Sequence, residues 1–420
     1  MIIPTFDNNF NINKSEEQKF QKSSSIPKSL AQLLSDRRPS YSVSLPIEGR
    51  KISKECRKKV DIDEYGRIDG INNKNEIMFP LPSLKDSNNS QLLLILHQKI
   101  KQCQQFVDCG EEEGNNNNNL KKVKTNALEE VIEWLTNSKN NKFDEIEYAN
   151  LRHGLVNIIR FNLFRVFSPN SIQDIQTIEE LADVGLTSNL TSKAYLEPNW
   201  PHLQLVYRLF NLIIEKWSDN IYFIEKEFNS KFVGELIELF NSEDPRERLK
   251  LKNVVYTLYS NAVVLRPEIR KRMGWLLLEH IYENKMCKGV SEILEILGDI
   301  INGFNVPLKP EHRNFFLKIL LPLHKPKTYF LYFAQLSNCV ALFLEKDSTL
   351  VKPTFDFILG NWPKDFSSKE VLLITELEEL LCRIDNNEFK LICIPLFRQL
   401  TNCAKSLHFR VAERALQLWN

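Results

Sequence analysis

The sequence predicts an all-α protein, a HEAT/armadillo-like helical solenoid with a disordered N-terminal tail. From about residue 199 to 420, apolar residues recur with the spacing of amphipathic helices, and short turns with Pro, Asn or Asp separate the segments. Gly accounts for only 13 of 420 residues, which disfavours Gly-rich phosphate loops and turn-dense β architectures. Helix pairs that repeat every ~40 residues stack into an elongated array. The curved surface of such an array is suited to binding other proteins.

The chain is predicted to have two parts. Residues 1–88 are rich in Ser, Asn, Lys and Pro without sustained periodicity, so they are expected to be a disordered tail that cannot bury enough apolar surface to fold. Residues 89–420 are expected to form the solenoid, because compact cores stop growing at about 250–300 residues and a longer chain must split or stack. The last predicted helix has no polar cap, so the array is expected to be incomplete at its C-terminal end.

Three helices are predicted before the regular array. The first begins near Gln91, the second near Leu120, and the third includes the apolar residues between 156 and 164. The Glu and Asn tract at residues 111–119 is predicted to be a loop between the first two helices.

The helices after Trp200 start at recognisable caps. Asp244 is predicted to be an N-cap, with Pro245 at the first helical position and Glu247 reaching back to the cap. Residues 367–370 (SSKE) repeat this pattern. The predicted helical segments are residues 201–217, 230–241, 245–265, 268–284, 287–304, 309–323, 329–345, 348–360, 367–384, 387–404 and 408–420.

Composition and motifs argue against several classes of function. The formal net charge of +1 gives no general attraction to nucleic acid, and no run of about 18 apolar residues suggests a membrane span. The eight cysteines lack Cys-x-x-Cys spacing and are predicted to be reduced thiols of an intracellular protein. Catalytic and metal-binding motifs are absent, so no catalytic residue, metal or cofactor is predicted. We expect a cytoplasmic protein, with the nucleus as a second location.

Two helix faces carry more apolar and aromatic residues than core packing requires. On the segment 287–304, two isoleucines widen the apolar arc to about 160°, beyond the roughly 100° that a surface helix needs. The residues of these extra faces and of the next helix start are Tyr256, Tyr259, Val263, Arg266, Ile296, Ile300, Lys309 and His312. Two interpretations stay open: these residues pack one repeat against the next, or they line a peptide groove with an aliphatic floor, an aromatic wall and a basic rim.

Seven motifs, in order and at compatible spacing, resemble the B′ family of regulatory subunits of protein phosphatase 2A. They are EPNWPHLQLVY at 197–207, SEDPRER at 242–248, GDIINGF at 298–304, LPLHK at 321–325, FLEKDSTL at 343–350, PLFRQL at 395–400 and VAERAL at 411–416. The resemblance is dense over residues 200–420 and weaker over residues 92–168. It implies a HEAT-like solenoid without catalytic activity, which joins a scaffold subunit and a catalytic subunit.

The resemblance also implies substrate recruitment through short motifs of the form Leu-x-x-Ile-x-Glu. The family's pocket positions fall on Tyr259 and Arg266, beside the two isoleucines, the lysine and the histidine of the extra faces. Where the family has a His-Arg pair, this chain has Tyr256 and Thr257. The missing Arg would pair with the Glu of the motif, and such a charged hydrogen bond contributes about 1.5–3 kcal/mol. Weak or altered recognition of the motif is therefore predicted.

Two other classes of function remain as alternatives. A general solenoid adaptor, such as a transport receptor that binds basic signals, would need an acidic groove lined by Trp and Asn. Arg266, Lys309 and His312 favour acidic ligands instead. An enzyme is the third alternative, and phosphatase activity of the chain expressed alone would support it.

Overall fold

The computed structural model describes residues 80–85, 89–105, 115–137, 145–165, 195–283 and 286–418. All of them belong to one compact unit, residues 75–420. The described residues form fifteen α-helices and no strand, which confirms the all-α prediction. Most of the predicted tail, residues 1–88, lies outside the described residues. Within residues 80–85, Leu84 is buried and its N–H donates to Glu130 Oε2 at 2.9 Å.

The helix bounds follow the predicted segments closely from Trp200 onward. The helices are α1 (Asn89–Gln104), α2 (Asn115–Asn137), α3 (Glu145–Leu163), α4 (Trp200–Trp217), α5 (Ile221–Glu227), α6 (Ser230–Glu238), α7 (Pro245–Asn261), α8 (Arg266–Tyr282), α9 (Val290–Asn302), α10 (Pro310–Phe315), α11 (Phe333–Lys346), α12 (Val351–Gly360), α13 (Ser367–Leu381), α14 (Asn386–Ala404) and α15 (Phe409–Gln417). A π-helical turn (Phe316–Leu320) and a 3₁₀ turn (Leu321–His324) follow α10.

The helices from α4 onward stack in two layers. In one layer α4, α7, α9, α11, α13 and α15 each pack on the next. In the other layer α6 packs on α8, the π and 3₁₀ turns connect α8 to α12, and α12 packs on α14. One apolar core runs through the stack from Leu84 to Leu400. Most of these helices therefore contact mainly the helix two places along the chain, which is the arrangement expected of a solenoid.

Two short segments differ from the prediction, and so does the predicted helix 309–323, in which only Pro310–Phe315 is α-helical. Helix α2 begins at Asn115, so all five asparagines of the Glu and Asn tract, residues 115–119, are helical instead of a loop. Asn is favourable at a helix start because the N–H groups of the first turn lack an intrahelical acceptor and an amide oxygen can accept from them. Helix α5 was not predicted, since seven residues are too few to show helical periodicity. Its N-cap is Asn220, whose Oδ1 accepts from Phe223 N at 3.0 Å.

The predicted N-cap of α7 is confirmed, but its capping box is wrong. Asp244 Oδ1 accepts from Arg246 N at 2.8 Å. The Glu247 carboxylate does not reach back to the cap, because it is buried and bonded elsewhere: Arg165 Nη1 lies 2.9 Å from it, and Tyr207 OH donates to it at 3.1 Å. A guanidinium partner forms a stronger hydrogen bond with a carboxylate than a neutral backbone amide does.

The second predicted cap, at the start of α13, is also wrong in detail. The helix begins at Ser367, as the pattern indicates, but its N-cap position is Phe366 and no side chain caps it. Glu370 Oε2 instead accepts from Trp362 Nε1 at 2.8 Å. The indole N–H therefore competes successfully for the carboxylate that the sequence pattern assigns to the helix start.

Candidate peptide-binding groove

Two adjoining cavities lie where the C-terminal half of α7 meets α9. The basic cavity, about 440 Å³, opens towards α8 and α10 and is named for its arginine and lysine side chains. The amide cavity, about 610 Å³, opens towards α11 and is named for its three asparagines. Tyr256 and Asp299 line both cavities, which therefore form one groove.

The structure brings together seven of the nine residues that the sequence assigned to the site. The basic cavity is lined by the predicted residues Tyr256, Tyr259, Arg266, Ile300, Lys309 and His312. The amide cavity is lined by Tyr256 again and by Ile296. Val263 and Thr257 line neither cavity. Thr257 Oγ1 donates to the carbonyl oxygen of Asn253 at 2.9 Å. A helical residue beside Tyr256 points about 100° away from it, so the two side chains cannot both face the groove.

The two isoleucines of the predicted floor are largely covered by their neighbours. Ile296 is 1% exposed and Ile300 is 6% exposed. They lie one turn apart on α9, and both belong to the continuous apolar core. The wide apolar arc of this helix therefore mainly packs repeat against repeat, while the edge of Ile300 reaches the basic cavity.

Tyr259 forms the aromatic wall of the basic cavity. Its hydroxyl accepts a hydrogen bond from Arg270 Nη1 at 2.9 Å. The Arg266 guanidinium lies 5.4 Å from the centre of its ring, in a cation–π contact. The tyrosine ring thus carries one arginine over its face and another at its hydroxyl.

Arg266 lies at the start of α8, whereas the sequence placed it just after the segment that forms α7. Pro267 follows it, and proline favours the first turn of a new helix. Arg266 Nε donates to Tyr259 O at 2.9 Å and Arg266 Nη2 donates to Ser260 O at 2.9 Å. The guanidinium therefore donates hydrogen bonds to carbonyl oxygens at the end of α7, and its positive charge lies beside the cavity.

His312 closes the basic cavity at the start of α10. Burial lowers the pKa of its imidazole, a decrease that Glu311 opposes and that Arg270 and Lys309 reinforce. The imidazole is therefore neutral at pH 7. Its Nδ1 is buried without a hydrogen-bond partner among the described residues, and its Nε2 lies 3.5 Å from Glu311 Oε1. One ring nitrogen of His312 is thus buried without a hydrogen bond, while the ring itself lines the cavity.

The residues of the basic cavity that were not predicted include Arg270, Asp299 and Phe304. Arg270 lies one turn beyond Arg266 on α8, and Phe304 lies four residues beyond Ile300. The same spacing rule that identified the isoleucines could have found both. Asp299 had no such signal, because its closeness to Tyr256 results from the packing of α9 on α7.

The described residues contain neither a candidate metal centre nor a candidate membrane-spanning helix. Among them, no group of three or more His, Cys, Asp or Glu side chains could hold a metal ion. None of their helices is both long and apolar enough to cross a bilayer. Burial raises the pKa of the Cys103 and Cys339 thiols to about 12, so both are protonated at neutral pH.

The stacked helices and the groove between repeats define a helical-repeat protein whose candidate site is a cleft between neighbouring repeats. The chain belongs to the B56 family of regulatory B subunits of protein phosphatase 2A, whose family model matches residues 81–420. The resemblance to the B′ family is therefore confirmed, B′ being another designation of the 56 kDa subunits.

Similar proteins from three animals support this assignment. The mouse 56 kDa regulatory subunit alpha isoform is 39% identical over 343 residues, which are 82% of this chain and 67% of the mouse protein. The Caenorhabditis elegans regulatory subunit pptr-1 is 41% identical over 340 residues, 81% of this chain and 59% of that protein. The rabbit delta isoform is 38% identical over 388 residues, 92% of this chain and 64% of that protein.

The chain thus spans about two thirds or less of the length of these relatives. All three are named as regulatory subunits, in agreement with the prediction that this chain is not itself an enzyme.

Proposed function

We propose that this chain is a substrate-targeting subunit of protein phosphatase 2A. It joins the scaffold and catalytic subunits and recruits proteins through short acidic and hydrophobic segments held in the groove. The observation that supports recruitment is the basic cavity, where Arg266, Arg270 and Lys309 surround an aromatic wall and an isoleucine edge. Such a cavity complements a ligand with carboxylate and aliphatic side chains. The site of action is the cytoplasm, with the nucleus as a second compartment.

Association with the phosphatase is tested by co-purification. The full chain, tagged and mixed with purified scaffold and catalytic subunits, is expected to elute with both as one complex in size-exclusion chromatography. Elution of the chain apart from the other two subunits would contradict the proposal. If a chain that elutes separately binds basic signal peptides, the general solenoid adaptor becomes the better interpretation.

Peptide recruitment requires a variant that leaves the fold intact. Ile300→Asp is unsuitable, because a charge at a buried position destabilises the protein itself. The Lys309 side chain is exposed and has no hydrogen bond or ion pair to another described residue, so Lys309→Glu changes the groove charge while the backbone bonds to the Lys309 carbonyl oxygen remain. Lys364→Glu makes the same change at an exposed residue in the turn before α13 and serves as the matched control.

Fluorescence anisotropy with a labelled Leu-Ala-Ala-Ile-Ala-Glu peptide measures the effect. Lys309→Glu is expected to weaken binding roughly tenfold, a change of about 1.4 kcal/mol. The effect should shrink at high salt, because the lysine is solvent-exposed. Lys364→Glu should bind like the wild type. Equal affinities of the wild type, Lys309→Glu and Lys364→Glu would show that the basic cavity does not bind the peptide.

A further inference from the structure

We propose that the amide cavity is a subsite for a cationic side chain, so that the groove selects peptides with an acidic residue at one end and Lys or Arg at the other. This inference rests on the proposed function of the groove and adds a second requirement on its ligand. It follows from the charges, the unpaired polar groups and the length of the groove.

The charge of the amide cavity is negative and comes from one residue. Lys252 Nζ lies 2.6 Å from Glu295 Oε2, so these two charges neutralise each other. The Asp299 carboxylate is exposed and makes no hydrogen bond or ion pair with another described residue. A ligand ammonium or guanidinium placed here gains a carboxylate partner that no protein cation occupies.

The other polar groups of the cavity also suit a cationic donor. Asn253, Asn302 and Asn338 line it, and their side chains have no hydrogen bond to another described residue. Each amide oxygen can accept a hydrogen bond from an ammonium or guanidinium group. Tyr256 is 45% exposed, so its ring is available for a cation–π contact. Carboxylate, amide oxygens and an aromatic ring together form a polar subsite for Lys or Arg.

The charge of the groove therefore changes along its length. Arg266, Arg270 and Lys309 line the basic cavity only, whereas the Asp299 carboxylate lies where the two cavities meet and the asparagines continue the groove beyond it. Along α7 the lining residues extend from Lys252 to Ser260, a distance of roughly 12 Å at 1.5 Å per helical residue. An extended peptide covers this distance in about four residues. A peptide whose acidic and basic residues are up to four positions apart therefore fits within the groove.

The test uses three labelled peptides and full-length protein. Leu-Glu-Ala-Ile-Ala-Lys carries both charges, Lys-Ala-Ile-Ala-Glu-Leu carries them in the reverse direction, and Leu-Glu-Ala-Ile-Ala-Glu is wholly acidic. In anisotropy titrations, one of the bipolar peptides is expected to bind roughly tenfold tighter than the acidic peptide. Asp299→Asn should remove most of this preference, and Asp299→Lys should reverse it. Asp365→Asn, at an exposed residue outside the groove, should leave it unchanged.

The outcomes separate this inference from the proposed function. If the acidic peptide binds as tightly as both bipolar peptides or more tightly, the cationic subsite is wrong while recruitment by the basic cavity stands. A preference for a bipolar peptide that persists in Asp299→Lys also overturns the subsite. If no peptide binds although the chain still joins the phosphatase subunits, both the groove and its subsite are wrong.

Discussion

The imidazole of His312 lies face to face on the ring of Phe304, with 3.8 Å between the ring centres and 5° between the planes. This stack joins the chain that leaves α9 to the start of α10 and places a neutral imidazole at the edge of the basic cavity. Burial is the main cause of its lowered pKa, and the charged groups that act on it are Glu311, Arg270 and Lys309.

Binding of an acidic peptide is expected to tighten as the pH falls from 8 to 6. In the free protein burial lowers the pKa of His312, so the imidazole is mainly neutral at pH 7 and 8. A bound carboxylate would raise that pKa, and proton uptake on binding makes the affinity increase as the pH decreases. Anisotropy titrations of Leu-Ala-Ala-Ile-Ala-Glu at pH 6, 7 and 8 measure this. The trend should flatten in His312→Gln and persist in His408→Gln, an exposed histidine outside the groove. A similar trend in His312→Gln would contradict it.

Gly289→Ala is expected to destabilise the start of α9. A Cβ at this position would lie 2.6 Å from the carbonyl oxygen of Phe240, a backbone atom that cannot easily move. Overpacking of this kind costs about 1–3 kcal/mol. Urea unfolding followed by circular dichroism gives the change. Gly360→Ala is the control, since no atom lies within 4 Å of its added Cβ. Equal stability of the two variants would show that the contact relaxes without cost.

Glu376→Leu is expected to lower the free energy of unfolding by about 3 kcal/mol. Tyr329 OH donates to Glu376 Oε2 at 2.5 Å, and His324 Nε2 lies 3.0 Å from Oε1. Burial and the adjacent carboxylate raise the pKa of Tyr329 well above its usual value, so the phenol keeps its proton. Removing the carboxylate leaves two buried polar groups unpaired.

Thermal and urea unfolding measure this loss. Glu379→Gln is the matched control on the same helix, because Glu379 is exposed and an amide can still accept the hydrogen bond from Ser337 Oγ. A loss for Glu376→Leu no larger than that of the control would show that the buried network adds no stability.

Glu247→Ala is expected to lower the free energy of unfolding at least as much as Glu376→Leu does. Its carboxylate is fully buried and accepts hydrogen bonds from Arg165, Tyr207 and Ser242, which connect the end of α3, α4 and the turn before α7. A double-mutant cycle with Arg165→Ala isolates the ion pair and should give a coupling free energy of about 2–3 kcal/mol. Glu243→Ala, whose partner Lys288 forms a surface pair, should change stability by less than about 1 kcal/mol. Additive effects in the cycle would refute the coupling.

Much of the fold could be predicted because helical periodicity is local. Pro245 starts α7 and Ser367 starts α13, as the sequence patterns indicate. The segment 309–323 could not be predicted in detail, since its apolar residues fit a helix while the backbone changes to π and 3₁₀ turns after Phe315. Pro322 provides no N–H for a regular helical bond, which contributes to that change.

The candidate site could also be predicted only as far as it depends on spacing within one helix. Residues spaced three or four apart on one helix, such as Tyr256 and Tyr259 or Ile296 and Ile300, share a face by geometry alone. The bond between Arg270 and Tyr259 and the position of Asp299 in both cavities required the structure. The sequence also could not show that the isoleucines are nearly covered, because burial depends on the neighbouring repeat.

The sequence by itself determined that the chain is helical, where most helices begin and which faces carry apolar residues, because these properties arise within one or two helical turns. Tertiary structure alone decided which charges meet. Glu247 bonds to Arg165, 82 residues away, and not to its own helix start. The tertiary structure also places the Asp299 carboxylate beside Tyr256, where no described residue forms an ion pair or hydrogen bond with it. Partner choice depends on stacking between helices that are distant in the chain, and the strongest charged partner that stacking brings near prevails over the local one.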